Sequence, residues 1–439
     1  MRKDIAPGPQ ETRFAAYVEG LAEAAGHADR HVPLKNYCTG LLLPGERKSV
    51  EPMAARLGSD NVHRMHQSLH HVVADAPWSD EAVLDRCLET VIPAMLRDEP
   101  VVAWIVDDTG FPKKGRESVG VARQYCGQVG KQDNCRVAVS LSVSTEKASM
   151  PVAFRLYLPE PWIKDRKRRK KTGVPAETQF QTKPEIALDQ IRRARQRGIP
   201  QGVVLADAGY GNDTRFRTEL TKLEMTYVAG IQSNTTVWKP GEEPKPAPAR
   251  KGNTGRPRKL LQRDANHKPV SVKEFALSLP AGAWKKVTWR QGVKQNLQSR
   301  FAAFRVRPAH RDEERSQPHP EEWLLIEWPA GESDPIKYWL STAPANIALV
   351  DLVHLAKQRW IIERDYQELK QELGLGHYEG RGWRGFHHHA TLCIAAYGFL
   401  VAERNLFSPS ACAGNLGLST PEPPPDFRPR GSPRSPRAA

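Results

Sequence analysis

Acidic side chains at the ends of two predicted strands are the first candidates for chemistry. Asp107 and Asp108 close or follow the apolar run 101–107, and Asp207 closes a second apolar run at 202–207. Ligands in α/β sheets gather at the carboxyl ends of strands, so these acids can converge if the two strands are neighbours. Carboxylates brought together repel unless a cation lies between them, and Mg²⁺ or Mn²⁺ prefers such oxygen ligands. The ordinary alternative is an aspartate that caps a helix or opens a turn.

A third acid has to come from elsewhere, and a predicted C-terminal helix offers one. Arg359, Glu363 and Lys370 are spaced i, i+4 and i+11, so on one helix they share a narrow stripe. Such a face could bind a metal through Glu363 and phosphate through the two cations. On helix chemistry alone, a solvated face with an i, i+4 ion pair is the better interpretation. Glu368 and Glu372 are competing acids on the same helix.

Three carboxylates could hold two divalent ions, which lie about 3.5–4 Å apart in two-metal sites. One ion would activate water or a 3′-hydroxyl, and the other would stabilise the leaving oxygen of an in-line phosphoryl transfer. This reaction needs no serine or tyrosine nucleophile. The acids therefore predict metal-dependent cleavage or transfer of a phosphodiester.

A basic stretch at 164–171 lies between a predicted strand and the next predicted helix. It could follow a phosphate backbone with salt-sensitive affinity. The alternative is that these charged side chains are merely exposed to solvent. This alternative can hold for some residues of the stretch while others bind phosphate. The cations of the stretch are Lys164, Arg166, Lys167, Arg168, Arg169, Lys170 and Lys171.

The composition agrees with a polyanionic partner. The 439 residues include 65 Lys and Arg against 50 Asp and Glu, a net charge of +15, which favours nucleic acid. No apolar run is long enough for a transmembrane helix, and the N-terminus has no apolar leader segment. The six cysteines form no CxxC pair, which argues against a zinc ribbon, and they fit reduced thiols in the cytoplasm.

The periodicity of the apolar residues predicts the elements that would position the acids. Residues 11–97 have helical spacing, and the pattern then changes to strands and helices in the order β-β-β-α-β-α-β. This order predicts an α/β fold with a mixed sheet. The predicted strands are 101–107, 136–145, 151–158, 202–207 and 225–231, and the predicted helices between them are 183–198 and 213–223.

A second group of strands and two helices complete the prediction. Strands are expected at 301–308, 322–329 and 336–342, one long helix at 346–373 with Asn346 as its N-cap, and another helix at 386–404. The resulting division is a helical N-terminal domain (1–97), a core in two parts (98–235 and 346–407), a β-rich insertion (236–345) and a disordered Pro/Arg-rich tail (408–439). The run 387–389, three histidines, predicts a helix start or a phosphate contact.

Four stretches resemble bacterial insertion-sequence transposases of the DDE class, which have an RNase H-like core. The Glu-bearing stretch matches the family signature Tyr-x2-Arg-x3-Glu-x6-Lys at Arg359, Glu363 and Lys370. Ala356 stands where the signature has tyrosine, so the DNA contact of that tyrosine is not carried over, whereas the metal site is. The stretches are LLLPGERKSVEPMAARL (41–57), WIVDDTGFPKKG (104–115), VLADAGYGND (204–213) and RWIIERDYQELKQELGLGHYEGRGW (359–383).

The resemblance implies Mg²⁺- or Mn²⁺-dependent cleavage of double-stranded DNA at element ends and strand transfer into a target. Asp107 or Asp108, together with Asp207 and Glu363, would be the catalytic ligands of two ions. Asp107 is favoured because Asp107-Asp108-Thr109 fits the Asp-x-Thr form of the first-aspartate motif, and Asp108 is the close alternative.

Further expectations concern the DNA, the assembly and the compartment. An aromatic residue of the insertion would stack on a flipped base, with Trp238 as a candidate by position and simple packing of Trp238 as an equal alternative. The partners would be the terminal inverted repeats and the target DNA, bound by a dimer on paired ends in the bacterial cytoplasm, at the nucleoid. A catalytically inactive or domesticated DNA-binding derivative is the alternative function, and a nuclease of the same fold without strand transfer is a third possibility.

Overall fold

The N-terminal region forms a set of helices that pack against the last helix of the chain. We analysed a computed structural model, which describes residues 9–247, 259–292 and 296–407. Tyr17 donates a hydrogen bond to the Ala395 carbonyl at 2.8 Å, and Arg13 pairs with Glu403. The helices are α1 (Pro9–Ala24), α2 (His31–Leu42), α3 (Val50–Leu57), α4 (Val62–His70) and α5 (Asp80–Met95).

The centre of the molecule is a mixed sheet. Strand β1 (Ala103–Pro112) pairs antiparallel with β3 (Lys131–Ser144) and parallel with β5 (Val203–Ala206), which in turn pairs parallel with β6 (Tyr227–Ile231). Strand β4 (Ser149–Leu156) pairs with β3. Cores lie on both faces of this sheet. The arrangement confirms the predicted α/β, RNase H-like class, with an N-terminal helical region before the sheet.

Strand β1 is longer than predicted, and this changes how its two aspartates are oriented. Asp107 and Asp108 lie within the strand and not at its end, opposite Ser140 and Val139 of β3. Successive side chains of a strand point to opposite faces of the sheet. The unpredicted strand β2 (Ala122–Cys126) pairs with the start of β3, and its polar, half-exposed sequence explains why it gave no apolar signal.

Helices cover the sheet between these strands. Most of the basic stretch forms α7 (Arg166–Thr172), and its first residue ends α6 (Glu160–Lys164); neither helix was predicted. Helix α8 (Lys183–Gln196) has a capping box formed by Thr182 and Glu185. Two short helices follow β5, namely α9 (Ala208–Gly211) and α10 (Thr214–Lys222).

The β-rich insertion is present, and its strands continue the central sheet. Strand β12 (Lys337–Ser341) pairs with β6, so the sheet runs on from β6 through β12, β11 (Glu322–Glu327) and β10 (Asn296–Pro308). The domain boundaries remain a prediction. The other elements of the insertion are β7 (Thr236–Trp238), β8 (Val270–Ser271), α11 (Val272–Leu277) and β9 (Lys285–Gln291).

The helix predicted at 346–373 is divided into three pieces. Helix α12 (Leu349–Gln358) and helix α13 (Ile361–Gln367) are separated at Arg359 and Trp360, and a π-helical turn (Glu368–Glu372) follows. The predicted N-cap Asn346 is wrong, because Ala348 holds that position without a side-chain cap. The predicted end is right, since Gly374 has a φ of 70°.

The last helix, α14 (Trp383–Leu406), is almost wholly buried between the sheet and the N-terminal helices. The predicted tail at 408–439 lies outside the described residues. No helix within the described ranges is both long and apolar enough to cross a membrane.

Candidate active site

Asp107 and Asp207 lie side by side because their strands are parallel neighbours. Ile105 pairs with Leu205. Two residues further along each segment, the same register places Asp107 beside Asp207. The Asp107 side chain is 15% exposed, whereas that of Asp207 is 42% exposed. The predicted convergence of these two acids is therefore present in the structure, and the pairing of their strands brings it about.

The loop after β5 fixes Asp207 through close backbone packing. Asp207 is the N-cap of α9, and its Oδ1 accepts a hydrogen bond from the Gly209 N–H at 2.9 Å. A Cβ atom at Gly211 would lie 2.0 Å from the Gly230 carbonyl oxygen, so only glycine fits there. The second carboxylate oxygen, Oδ2, lies 4.0 Å from Arg359 Nη2.

A guanidinium group lies between the two aspartates. Arg359 Nη1 is 2.9 Å from Asp107 Oδ2, and Arg359 Nη2 is 4.0 Å from Asp207 Oδ2. Burial lowers the pKa of Arg359, but the charges of Asp107 and Asp207 outweigh this effect and leave the pKa raised. Nη1 is buried without a well-directed hydrogen bond, despite its short distance to Asp107. Arg359, which was predicted to contact phosphate, thus offsets the negative charge of the two carboxylates.

Asp107 and Asp108 have different surroundings, as strand alternation requires. Burial raises the pKa of Asp107 to about 6, while Arg359 opposes this shift and Asp207 adds to it. Asp108 pairs instead with Lys183 of α8, at 2.7 Å. Asp107 is therefore the member of the pair that faces Arg359, and it remains the favoured ligand.

Glu363 shares a cleft with Asp207 and Arg359 but does not complete a metal site. It is exposed on α13, and its charge contributes to the raised pKa of Arg359. Together with Asp207 and Arg359 it lines a cleft of about 1910 Å³. Within the described ranges, no three His, Cys, Asp or Glu side chains are arranged to hold a metal ion. The assignment of Glu363 as a third ligand stays a prediction.

Buried polar contacts fix α13 beneath Glu363. The Asp365 carboxylate accepts hydrogen bonds from Ser149 Oγ at 2.6 Å and from the Tyr397 hydroxyl at 2.9 Å. The Tyr366 hydroxyl and Ser140 Oγ are 2.6 Å apart, and Ser140 is the strand partner of Asp107. These positioning residues were missed, although serines in an apolar strand were a usable signal.

Lys370 is bound to β1 and is not among the residues that line the cleft. Its Nζ donates to the Gly110 carbonyl at 2.9 Å and to Gln128 Oε1 at 3.1 Å, and it lies 5.0 Å from the centre of the Phe111 ring. Burial lowers the pKa of Lys370 to about 8. The predicted stripe with Arg359 and Glu363 is wrong, and Lys370 ties the π-helical turn to β1.

The base-stacking role predicted for Trp238 is wrong. Trp238 is fully buried, and its Nε1 donates to Asp312 Oδ2 at 2.6 Å. The aromatic side chains that line the cleft are others, Trp289 and Trp360 among them, and Trp360 is 36% exposed. Position in the insertion could not separate these tryptophans, because their burial depends on how the strands pair.

The basic stretch divides into engaged and free cations. Lys164 pairs with Glu160 and Lys171 pairs with Glu117, each at 2.7 Å. The guanidinium of Arg168 lies 3.7 Å from the centre of the Trp162 ring, and Arg169 donates to main-chain carbonyls. The exposed cations for which no acid of the described ranges lies at ion-pair distance are Arg166, Lys167 and Lys170.

The three histidines are structural. They lie near the start of α14, as predicted, but all are buried, so the predicted phosphate contact is wrong. His388 stacks on Trp78 with ring centres 3.6 Å apart. His389 accepts from the Tyr37 hydroxyl at 2.8 Å through Nδ1 and donates to the Gly374 carbonyl at 2.9 Å through Nε2. Burial lowers the pKa of His388 and of His389 to about 4.

Comparison with known proteins places these acids in a family. A family described as DDE superfamily endonuclease matches residues 20–296, which is more than half of the chain. The chain belongs to the DDE endonuclease superfamily. The matched range contains Asp107 and Asp207 of this DDE endonuclease, whereas Glu363 lies beyond it. The family generally uses divalent metal ions.

One curated relative gives a more specific likeness. The DDE endonuclease is 34% identical over 193 residues to a protein of Microchaete diplosiphon named "Probable transposase for insertion sequence element IS701". The aligned region is 44% of this chain and 46% of the relative. The chain thus spans just under half the length of that relative. The comparisons confirm the predicted resemblance at the level of the family.

Proposed function

We propose that this DDE endonuclease is a transposase, which cleaves the ends of an insertion sequence and joins them to target DNA. The observation that carries the proposal is the pair of carboxylates, Asp107 and Asp207, on adjacent parallel strands around a single cationic group. The name of the IS701 relative supports it. The catalytic acids are Asp107, Asp207 and Glu363.

The donor atoms suit a hard divalent ion. Asp107 and Asp207 offer only oxygen ligands, which hard divalent ions prefer, and the guanidinium of Arg359 lies between them. We assign the site to Mg²⁺ or Mn²⁺. One or two of these ions would be held by the two aspartates and by Glu363. A bound ion would activate the attacking hydroxyl and stabilise the leaving oxygen. The protein supplies the rigid strand pair that holds the carboxylates together.

The cleft beside the acids suits a DNA backbone. Cationic side chains from separate elements line it, among them Arg290 of β9, Lys337 of β12 and Arg364 of α13. Cations of this kind bind phosphates independently of base sequence. The proposed substrates are the terminal inverted repeats and the target DNA, which a dimer would hold as paired ends at the nucleoid, in the cytoplasm.

Cleavage and joining are tested together on DNA that carries the sequences flanking the reading frame. The full chain should nick this DNA and give joined products with Mg²⁺ or Mn²⁺, and should do neither with Ca²⁺ or EDTA. Asp207→Asn and Glu363→Gln should each abolish both products while DNA binding is retained. Asp351→Asn is the matched control, because Asp351 is exposed on the neighbouring helix α12.

The products distinguish the proposal from its two alternatives. Binding without any nick in either metal would favour an inactive DNA-binding derivative. Nicks without joined products would favour a nuclease that lacks strand transfer. Full activity of Glu363→Gln would refute the assigned third ligand.

A further inference from the structure

The segment that contains β9 and β10 has an unusual charge pattern. No Asp or Glu occurs between Glu274 and Asp312, although this interval is rich in Lys and Arg. A solvated surface normally mixes charges of both signs. The cations of the interval are Lys285, Lys286, Arg290, Lys294, Arg300, Arg305, Arg307 and Arg311, of which Lys294 lies outside the described residues.

The cations of this segment form two groups, one close to an acidic side chain and one without such a neighbour in the described ranges. Arg305 and Arg307, in the second half of β10, lie 3.9 Å and 3.6 Å from Glu321. Those of the β9–β10 hairpin (285–300) differ, because no acid of the described ranges lies at ion-pair distance from them. They are Lys285, Lys286, Arg290 and Arg300, and all four are exposed.

Two of these hairpin cations are direct strand partners. Lys286 of β9 is paired in register with Arg300 of β10. Like charges placed directly opposite each other destabilise a strand pair, so this arrangement costs stability unless an anion is nearby. Arg300 donates to the main-chain carbonyl of Trp328, at 3.1 Å, and this contact leaves its charge unbalanced.

The hairpin borders the cleft of the candidate active site. Arg290, Trp289 and Leu297 line the cleft that Asp207 and Glu363 also line. The guanidinium of Arg290 lies 4.0 Å from the centre of the Trp360 ring, and Trp360 lies three residues before Glu363. Lys285 lies on the same face of the hairpin as Arg290, whereas Lys286 and Arg300 lie on the other face, so the cations surround the free edge of β9.

A simpler explanation is that lysines protect an exposed edge. Strand β9 pairs only with β10 among the described strands, and lysine on an edge strand prevents pairing with another chain. That explanation accounts for Lys285 and Lys286. It does not account for Arg290, which turns onto Trp360 in the cleft, or for the cation opposite Lys286.

We propose that the β9–β10 hairpin binds backbone phosphates of the DNA duplex that enters the cleft. The inference rests on the proposed function and adds a second DNA contact to it. Lys285, Lys286, Arg290 and Arg300 provide the charge, without reading base sequence. The duplex is favoured as partner because the cations surround a strand edge that adjoins a site whose acids suit phosphodiester chemistry.

The experiment measures binding of the full chain to a labelled 40-base-pair duplex in EDTA, so that cleavage does not intervene. The Lys285→Gln/Lys286→Gln variant should bind about tenfold more weakly at moderate salt, and its plot of log affinity against log salt should be shallower by roughly 1.8. For Arg290→Gln the slope of log affinity against log salt should be shallower by roughly half as much. The control Arg86→Gln/Lys222→Gln removes two exposed cations that already pair with Glu89 and Glu219, and it should behave as wild type.

Each other outcome has a definite meaning. If the Lys285→Gln/Lys286→Gln variant matches the control in affinity and salt slope, the inference fails and the proposed function stands. If this variant binds DNA normally but self-associates in sedimentation velocity, the lysines protect an edge and the inference also fails. If the wild-type chain binds no duplex, the DNA partner of the proposed function fails, and the hairpin contact fails with it.

Discussion

The guanidinium of Arg359 lies 2.9 Å from the carboxylate of Asp107, on the side of the strand that faces α13. It also approaches Asp207, at 4.0 Å, so one side chain balances both acids. The break between α12 and α13 makes this possible, since Arg359 is at the junction. A divalent ion held by Asp107 and Asp207 would have to displace this guanidinium, so metal binding and the position of Arg359 are coupled.

Arg359→Gln is the first prediction. Without the guanidinium, two neighbouring carboxylates repel, so the free energy of unfolding in EDTA should fall by about 1–3 kcal/mol. Affinity for Mn²⁺ should rise, because no cation of the protein then competes for the carboxylates. Urea unfolding with and without Mn²⁺, and titration of Mn²⁺ by electron paramagnetic resonance, measure the two effects.

Arg364→Gln is the control for that experiment. Arg364 lines the same cleft but pairs with Glu368, so its loss should leave Mn²⁺ affinity unchanged. Weaker Mn²⁺ binding by Arg359→Gln would contradict the expectation and would mean that Arg359 supports the metal site.

The second prediction concerns pH and the buried histidine His389. Burial holds the pKa of His389 at about 4, below the ordinary value of 6.5. The unfolded chain therefore binds more protons between pH 6.5 and 4, and stability is lost as the pH falls through this window. The loss is on the order of 3 kcal/mol for this histidine. The first effect should be separation of the N-terminal helices from α14, because Tyr37 contacts the ring of His389.

His389→Gln tests this prediction. The variant should lose less unfolding free energy than wild type between pH 7 and pH 5, as measured by urea unfolding at each pH. The carboxyl of Asp365 has the opposite effect, since burial raises its pKa to about 7, and the difference between variant and wild type removes its contribution. His63→Gln changes an exposed histidine and should follow wild type. Equal pH dependence of His389→Gln and wild type would be the contrary result.

The pairing of the two aspartates could be predicted from the sequence, because the order of apolar runs made their strands neighbours. The choice between Asp107 and Asp108 could not be derived from alternation until the end of β1 was known. The helix break at Arg359 also had no sequence signal, since neither Pro nor Gly occurs there. Burial of Trp238 depends on contacts with distant residues of the insertion, its strand partner Arg307 and its hydrogen-bond acceptor Asp312, which the local pattern does not contain.

The third prediction separates the free cations of α7 from the engaged ones. Arg166→Gln/Lys167→Gln/Lys170→Gln should weaken duplex binding and lower the salt slope by up to roughly 2.7, because each phosphate contact contributes about 0.9. Lys164→Gln/Lys171→Gln is the matched control, since both lysines already pair with glutamates. Fluorescence anisotropy at several salt concentrations measures both variants. Equal slopes would mean that the stretch is only a solvated run of charge.

The last prediction concerns the contact between α13 and the strand behind Asp107. Tyr366→Phe removes the hydroxyl that lies 2.6 Å from Ser140 Oγ, and the buried Ser140 loses this partner. The free energy of unfolding should fall by about 1–3 kcal/mol. Because Ser140 is the strand partner of Asp107, the alignment of Glu363 with Asp107 should loosen, and the rate of metal-dependent nicking should fall while duplex affinity is retained. Tyr125→Phe, at a tyrosine that is 60% exposed, is the control for the chemical change. If Tyr366→Phe is less stable but nicks at the wild-type rate per folded molecule, the contact supports the fold and does not position the acids.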